Sequence, residues 1–478
     1  MNRPIRRVSI GCLVLVLILL LADNVIQVVQ ATSLRERPEN SRQINARLSR
    51  ERGPIVVGGQ AIAQSVPSND QYKFQRTYPG ANLYANLTGY YGLFGSTGLE
   101  RSEDDLLSGE DQRLFVRRIS DLFTGRTAKG GSVVLTIRPE VQQAASDALG
   151  DRKGAVVAIN PTTGAVLAMV GKPSFDPNPL ASHDGSSATS AEQQLSTDDD
   201  APLINRPAQG LYPPGSTFKV VTAAAALSNG YSSGTQIDAP DELILANTST
   251  RLPNFAGESC SSTGRVSLND ALTTSCNTAF AKLGIDIPGK DDALRRQAEA
   301  FGFNAPLQDF SLPSSTSRFP TDLDDAQTEL SAIGQASVLV SPLQMAMVAA
   351  TVANGGRMMK PYVVDKTLAP DLTTLQSTSP EELARPISGD VAAQLSSMMQ
   401  SVVAQGTGTR AQLSVPVAGK TGSAENVPGL ETHAWFIGFA PADNPQVAVA
   451  VIVENGGTGG QVAAPLAQQV LASALGLG

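Results

Sequence analysis

The chain has 478 residues, about three times the length of a typical domain, which excludes a single small fold. Hydrophobic residues make up 41% of it, enough for a buried core, so disorder throughout is excluded. The net charge of −8 argues against a general nucleic-acid binder, which needs a basic face. Two histidines and three cysteines cannot form a clustered Cys/His metal site with zinc-finger spacing, so no metal is expected.

The N-terminus carries a pattern typical of export. Arg3, Arg6 and Arg7 precede an apolar run that continues, with few polar interruptions, from Val8 to Val29. As a helix this run of about 22 residues is about 33 Å long, similar to the roughly 30 Å core of a bilayer. Cationic residues before such a run indicate a cytoplasmic start and an exported remainder. A cleaved signal peptide also fits, but no clear Ala-x-Ala site follows, which favours an uncleaved anchor over residues 1–30.

Export makes two of the cysteines a candidate disulfide. Cys12 lies in the apolar run, and Cys260 and Cys276 are the other two cysteines of the chain. An oxidising compartment favours their pairing, and a bridge across so short a loop contributes about 3 kcal/mol. Two buried free thiols are the alternative.

The segment at residues 31–132 is polar and turn-rich, with helical spacing only at Ser108–Thr124, and regular strand and helix patterns begin near residue 133. In chain order they predict a strand at Val133–Ile137, a helix at Pro139–Leu149 that starts with proline, a hairpin of Gly154–Ile159 and Gly164–Val170, and an exposed loop at Ser182–Asp200. Further strands are predicted at Val415–Ala418 continuing towards Ser423, at Ala434–Ala440 and at Val447–Val453, before a closing helix at Ala463–Leu475. Strands at both ends of this region, with helices between them, indicate one sheet built from distant segments.

The first chemical motif is Ser216 with Lys219. Two prolines and a glycine fix a turn before Ser216, and a strongly helical pattern runs from Thr217 to Asn229. Ser216 is therefore expected at a helix N-terminus, where free backbone donors favour negative charge. Lys219 lies one turn later on the same face, and a lysine kept neutral by burial can act as the base that a serine nucleophile needs. Read alone, the pair also fits an N-cap serine and a surface lysine.

The second motif is Ser275-Cys276-Asn277, between two predicted helices at Leu268–Thr273 and Thr278–Leu283. A serine hydroxyl at such a break can relay a proton, and an asparagine amide can bind a peptide carbonyl. Read alone, the triplet is equally a plain helix cap.

The third motif is Lys420-Thr421-Gly422-Ser423. It ends like a phosphate-binding P-loop, but Ser414 and Pro416 replace the loop's expected residues and no helix follows, as that loop requires. The alternative is a strand edge. There Lys420 supplies positive charge, Gly422 permits close backbone approach, and Thr421 and Ser423 offer hydroxyls to a carboxylate.

The three motifs together are specific, because Ser-x-x-Lys, Ser-x-Asn and Lys-Thr-Gly follow one another at spacings of about 60 and about 145 residues. In this the chain resembles the penicillin-recognising serine acyltransferases. Upstream, Arg52-Gly53-Pro54-Ile55 and Gly98-Leu99-Glu100 look like the pedestal signature of class B penicillin-binding proteins. The resemblance runs from residue 50 onward and is strongest to the short, actinobacterial type of that class.

The resemblance implies an α+β fold: a transpeptidase/serine β-lactamase-like domain with a central antiparallel sheet flanked by helices, plus a helical subdomain. It divides the chain into a cytoplasmic start and membrane anchor (1–30), a non-catalytic pedestal (31–132) and a penicillin-binding transpeptidase domain (133–478). The implied location is the cell membrane, with a single span and the catalytic domain outside the cytoplasm.

The resemblance also implies a role for each motif residue. Ser216 is the acylated nucleophile, Lys219 its base, and Ser275 the hydroxyl that passes a proton to the leaving D-alanine. The implied substrate-binding residues are Asn277, Lys420, Thr421, Gly422 and Ser423. Backbone N–H groups of Ser216 and Ser423 form the oxyanion hole. No cofactor is implied.

The implied activity is cross-linking of peptidoglycan stem peptides during growth and division, through an acyl-serine that β-lactams also form. The implied partners are stem peptides ending in D-Ala-D-Ala and a membrane glycan-polymerising glycosyltransferase, because the N-terminal region is too short to polymerise glycan itself. Three alternatives stay open: a D-alanyl-D-alanine carboxypeptidase, a β-lactamase, and a non-catalytic β-lactam sensor or division scaffold.

Overall fold

Strands are distributed along most of the chain in the computed structural model, which describes residues 3–30, 41–124, 129–426 and 429–477. In chain order they are β1 (Ile55–Val57), β2 (Gln60–Pro67), β3 (Phe74–Thr77), β4 (Tyr91–Gly92), β5 (Gly95–Ser96), β6 (Ser132–Leu135), β7 (Gly154–Ile159), β8 (Val166–Lys172), β9 (Gln236–Asp238), β10 (Glu242–Ile244), β11 (Arg251–Pro253), β12 (Arg265–Ser267), β13 (Met358–Met359), β14 (Val364–Leu368), β15 (Thr374–Ser377), β16 (Glu382–Ala384), β17 (Ala418–Ala424), β18 (His433–Ala440) and β19 (Val447–Val453).

Helices lie along the whole chain, between and beside the strands. In chain order they are α1 (Arg3–Asn24), α2 (Ser41–Leu48), α3 (Ala85–Thr88), α4 (Gly98–Ser102), α5 (Asp104–Ser108), α6 (Phe115–Thr124), α7 (Pro139–Leu149), α8 (Gly185–Ser196), α9 (Arg206–Gln209), α10 (Lys219–Ser228), α11 (Leu268–Thr273), α12 (Asn277–Asp286), α13 (Lys290–Ala300), α14 (Asp325–Ala332), α15 (Pro342–Ala353), α16 (Gly389–Gln405) and α17 (Ala463–Leu475). A π-helical turn at Val25–Val29 extends α1.

The five-stranded sheet has the order β17-β18-β19-β7-β8, and every neighbouring pair is antiparallel. Residues paired on neighbouring strands across the sheet include, in strand order, Lys420, Ile437, Ala450, Val157 and Met169. The two ends of the predicted catalytic region therefore meet at β19 and β7. This confirms the prediction of one sheet built from distant segments.

Both faces of this sheet are covered, which is why its central strands are apolar at consecutive positions. Phe436 and Val449 lie in a core with helices α7 and α17, while Trp435 and Ile437 lie in a larger core with helix α15. Because side chains alternate between the faces of a strand, neighbouring residues enter different cores. The predicted fold class, an antiparallel sheet flanked by helices with a helical subdomain, is confirmed.

A six-stranded sheet joins the N-terminal region to later parts of the chain, in the order β15-β14-β6-β1-β2-β3. Strands β1 and β6 are parallel, and the other neighbours are antiparallel. Thr136, just after β6, donates from Oγ1 to the carbonyl of Val166 in the five-stranded sheet at 2.6 Å. The two sheets are thus linked directly after β6.

A buried ion-pair cluster lies in the N-terminal region, at the two segments that resemble the pedestal signature. Glu100 is completely buried and accepts from Arg76 Nε at 2.6 Å and from Arg52 Nη2 at 2.9 Å. Burial alone would raise the pKa of Glu100, but Arg76 and Arg52 outweigh it and lower that pKa. The carboxylate therefore remains charged, and its two arginines fix the segments to each other.

The helix Arg3–Val28 is long and apolar enough to cross a membrane, by its length of 26 residues and its composition, and it is 0% buried. Elsewhere, several predicted elements are shifted by two or three residues, as in β8 at Val166–Lys172, and one predicted loop contains a helix. Residues 182–200 were predicted as an exposed loop, but they contain α8, capped by Asp184, whose side chain accepts from the Ser186 N–H.

Candidate active site

The turn that carries Ser216 is held from several sides. Gly215 has φ +50° and opens a 3₁₀ turn at Gly215–Phe218, which leads into α10. Its N–H donates to the carbonyl of Gly334 at 2.9 Å, and Trp435 Nε1 donates to the carbonyl of Pro213 at 3.0 Å. Ser216 is half-buried at the start of this turn, as the prolines and glycine predicted, and it lines a cleft.

The Ser-x-Asn motif forms the break between α11 and α12. Ser275 has φ +61°, a backbone conformation that costs a non-glycine residue energy and is typical of functional turns. Cys276 forms a disulfide with Cys260. This bond attaches the residue between Ser275 and Asn277 to the preceding loop, and Asn277 begins helix α12.

The Lys-Thr-Gly motif lies on β17, at the edge of the five-stranded sheet. A Cβ placed on Gly422 would lie 3.0 Å from Thr217 Cγ2 and 3.1 Å from the carbonyl oxygen of Pro214. Glycine therefore lets this strand approach the Ser216 turn closely. Strand β17 pairs with β18 along its whole length, and the described residues between them, 425–426 and 429–432, form no helix; the structure therefore agrees with a strand edge and not with a P-loop.

Lys219 is completely buried and faces the second motif. Its Nζ donates to the carbonyl of Ser275 at 2.7 Å, to Ser275 Oγ at 3.3 Å and to Asn277 Oδ1 at 2.7 Å. Burial, and secondarily the charge of Lys420, lower the pKa of Lys219 well below its usual range. Burial therefore favours the neutral amine of Lys219, the form that can accept a proton.

Lys420 approaches the same hydroxyl from the opposite side. It is completely buried, and its Nζ donates to Ser275 Oγ at 2.8 Å and to the carbonyl of Thr421 at 2.9 Å. Burial lowers the pKa of Lys420 to about 7. Ser275 Oγ thus bridges the amines of Lys219 and Lys420 and can accept a proton from one while donating its own to the other.

The expected pairing of Ser216 with Lys219 differs in detail from the structure. Among the residues that the structure describes, none forms a hydrogen bond with Ser216 Oγ, and the three hydrogen bonds from Lys219 Nζ all go to the Ser-x-Asn motif. In enzymes without substrate, catalytic hydrogen bonds are often long or absent and form in the substrate complex. The structure brings all three motifs to one cleft but connects Lys219 first to Ser275 and Asn277.

The cleft has a volume of about 870 Å³ and is lined by residues of all three motifs, including Ser216, Ser275, Asn277, Thr421, Gly422 and Ser423. Sequence reasoning missed several of its other residues, among them Asn254, Thr407, Arg410 and Glu425. Of these, Thr407 carries the clearest signal, because it lies in the Gly-Thr-Gly-Thr segment that follows α16. Ser423 Oγ accepts from the N–H of Gly459 at 3.3 Å.

His433 takes no part in this network. It is 8% exposed at the start of β18, and its Nδ1 accepts from the N–H of Asn455 at 3.0 Å. Burial lowers the pKa of His433, so the ring is neutral and serves structure. The acid–base groups that the three motifs bring to the cleft are therefore lysines and hydroxyls.

Comparisons with known proteins agree with this geometry. A family model for the penicillin binding protein transpeptidase domain matches residues 154–472, and one for the penicillin binding protein A dimerisation domain matches residues 52–133. The chain is 44% identical to the peptidoglycan D,D-transpeptidase PbpA of Mycolicibacterium smegmatis, with 99% of each chain aligned. It is 30% identical to the penicillin-binding protein PbpB of the same organism, over 88% of this chain and 68% of the relative.

Solved structures show the same fold. Penicillin-binding protein A from M. tuberculosis, in its ceftriaxone acyl-enzyme complex, has a TM-score of 0.87 at 44% identity, covering 90% of this chain and all of that one. The D,D-transpeptidase domain of a peptidoglycan glycosyltransferase from Eggerthella lenta has a TM-score of 0.79 at 34% identity, covering 90% of this chain and 99% of that one. With the three motifs gathered in one cleft, these matches show that the chain belongs to the class B penicillin-binding protein family of peptidoglycan transpeptidases.

Proposed function

We propose that this chain is a peptidoglycan D,D-transpeptidase that cross-links stem peptides through an acyl-enzyme on Ser216, and that β-lactams inhibit it by acylating the same serine. The observation that carries the proposal is the arrangement of two buried lysines around Ser275 Oγ in the cleft that Ser216 lines. Its relatives named PbpA support the substrate class, because they are peptidoglycan D,D-transpeptidases aligned over almost their full length.

In the acylation step, Ser216 Oγ attacks the carbonyl of the penultimate D-alanine. Neutral Lys219 takes the hydroxyl proton, and the tetrahedral oxygen is stabilised by the backbone N–H groups of Ser216 and Ser423. Such donors contribute about 3 kcal/mol each in acyl-transfer enzymes. The peptide bond then breaks, and the leaving D-alanine receives its proton from Ser275, which is replenished by a neighbouring lysine. The proton removed from the serine therefore leaves with the amine.

The remaining motif residues hold the donor peptide. Asn277 aligns the stem-peptide backbone with its side-chain amide. Lys420 supplies positive charge, Thr421 and Ser423 donate to the terminal carboxylate, and Gly422 lets their strand lie close to the Ser216 turn. In the second step an amine of another stem peptide attacks the acyl-enzyme, and its proton returns through Lys219 to Ser216. A cross-link forms, and the free serine is regenerated.

Transpeptidation is tested with a purified donor peptide that ends in D-Ala-D-Ala and a second stem peptide that supplies the amine. We expect a cross-linked product and released D-alanine from the wild type and neither from Ser216→Ala. Ser259→Ala is the matched control, because Ser259 lines the same cleft outside the motifs. D-alanine release with hydrolysed peptide only would identify a carboxypeptidase instead. Binding of penicillin without turnover of either peptide would identify a sensor.

We further propose that residues 1–30 anchor the enzyme in the cell membrane, that residues 31–132 form a pedestal and that residues 133–478 form the extracytoplasmic transpeptidase domain. The apolar, unburied helix at Arg3–Val28 supports the anchor. A membrane glycosyltransferase that polymerises glycan is the proposed partner. Cell fractionation of chains with and without residues 1–30 tests the anchor, because only the full chain should sediment with membranes. Co-purification from detergent-solubilised membranes tests the partner.

A further inference from the structure

A second threonine lies beside the one that is proposed to bind the substrate carboxylate. Thr407 Oγ1 is 2.5 Å from Thr421 Oγ1, and both residues line the cleft. Among the described residues, Thr407 is the hydrogen-bond partner of the Thr421 hydroxyl. Thr407 belongs to none of the three motifs and comes from the loop after α16. The proposed roles of the motif residues therefore do not explain why it contacts the Thr421 hydroxyl.

The backbone of Thr407 is held on both sides. Its N–H donates to the carbonyl of Thr273 at 3.3 Å, at the end of α11 and two residues before Ser275. On the other side, a Cβ on Gly460 would lie 2.5 Å from the carbonyl oxygen of Thr407, so that glycine lets a further loop pack against it. The Thr407 hydroxyl is therefore placed by fixed backbone between the Ser-x-Asn break and the Lys-Thr-Gly strand.

The direction of the hydrogen bond decides what Thr421 can do. A hydroxyl has one proton, so Thr421 can donate to a carboxylate only if its oxygen is the acceptor for Thr407. A carboxylate accepts only, and a chain in which one hydroxyl donates to the next, and that one to an anion, strengthens each bond. Substrate binding therefore favours Thr407 as the donor to Thr421.

We propose that Thr407 is a positioning residue for the carboxylate subsite: it donates to Thr421 Oγ1 and so directs the Thr421 proton to the terminal carboxylate of the donor peptide or of a β-lactam. This rests on the proposed function. Thr407 acts through Thr421, so its contribution depends on both the carboxylate and the Thr421 hydroxyl.

The test compares Thr407→Val, which keeps the shape and removes the hydroxyl, with Thr407→Ser, which keeps the hydroxyl. The measurement is the second-order rate constant for acylation by penicillin G and by its methyl ester, which lacks the carboxylate. With penicillin G we expect Thr407→Val to slow acylation about tenfold and Thr407→Ser to stay within about twofold of the wild type. With the methyl ester all three proteins should react alike. The ratio of the two rate constants is independent of the folded fraction.

A double-mutant cycle of the same acylation rate constants completes the test. In a Thr421→Val background, Thr407→Val should cause no further loss with penicillin G, because the hydroxyl that it positions is gone. The inference is overturned if the two losses add, if Thr407→Val slows the acid and the ester equally, or if it slows neither. A wild-type protein that forms no adduct on Ser216 would instead overturn the proposed function itself.

Discussion

At the scale of single residues, the main feature of the site is one hydroxyl shared by two buried amines. Lys219 and Lys420 are both completely buried and both within hydrogen-bond distance of Ser275 Oγ. Two ammonium groups so close in a poorly solvated site repel each other strongly. The arrangement therefore favours a state in which one amine is neutral, and Lys219 is that amine if it is the base.

This charge state predicts how acylation depends on pH. The rate should rise with pH as Lys219 loses its proton. Because the charge of Lys420 helps to lower the pKa of Lys219, Lys420→Gln should raise that pKa and move the acidic limb of the profile to higher pH, besides slowing the reaction. The profile is measured as the rate of acylation by penicillin against pH. The control is Lys360→Gln, which removes a lysine that pairs with Asp309. A limb that stays in place or moves to lower pH would contradict the assignment.

The same burial predicts a pH-dependent stability. The pKa of Lys420 is about 7 in the folded chain and has the ordinary value of 10.5 when unfolded. Between these values the unfolded state binds the extra proton, so the free energy of unfolding rises with pH, and below about 7 the folded state bears the full cost of the buried charge. Lys420→Met should therefore flatten this rise and increase the thermal midpoint by a few degrees at neutral pH. The free energy of unfolding of both proteins is measured by guanidinium titration at several values between pH 6 and pH 10. An equal change of that free energy with pH in the two proteins would refute this prediction.

At the scale of elements, the disulfide ties the Ser-x-Asn break to the loop before α11. Cys260 and Cys276 are 16 residues apart in sequence, and a bridge across such a loop contributes about 3 kcal/mol. Cys260→Ser should lower the free energy of unfolding by about that amount. It should also slow acylation, because Ser275 is then less firmly held at φ +61°. Cys12→Ser, which changes an exposed cysteine in α1, should alter neither quantity in the same two assays. Equal behaviour of the two variants would contradict this role.

The helices and strands that could be predicted are those whose own residues form a clear local pattern. The helix at Pro139–Leu149 has the predicted bounds, because proline marks its start and glycine follows its end. Strands β7 and β8 were predicted from apolar runs on either side of a turn-forming segment, and β19 from a β-branched run. Helix α8 was missed because its serines, threonines and glutamines form no apolar stripe, and only Asp184 marks its start. The site motifs were found, but the contact between Thr407 and Thr421 was not, because it joins a loop to a strand across the cleft.

In the whole molecule, the two partners of strand β6 could not be predicted, because they are distant from it in sequence. Strand β6 pairs in parallel with β1 on one side and with β14 on the other, so the six-stranded sheet is built from both sides of the proposed domain boundary. Ile55 and Val133, which face each other in that pairing, are both completely buried. The N-terminal region is thus part of one continuous packing unit with the catalytic region.

This continuity predicts the effect of truncation. A chain that begins at residue 130 loses β1 and leaves β6 as an unpaired apolar edge, so it should aggregate or unfold at a clearly lower temperature. A chain that begins at residue 41 keeps every strand and should bind penicillin and unfold like the full chain. Thermal unfolding of both soluble products measures this. An unchanged midpoint for the shorter chain would mean that the catalytic region is stable without its neighbour.

Intact-protein mass spectrometry after incubation with penicillin G decides whether Ser216 is the nucleophile of this cleft. The wild type should gain one covalent adduct, which peptide mapping places on Ser216. The Ser216→Ala variant should gain none. An adduct that persists in the variant, or that maps to another residue in the wild type, would mean that Ser216 is not the nucleophile.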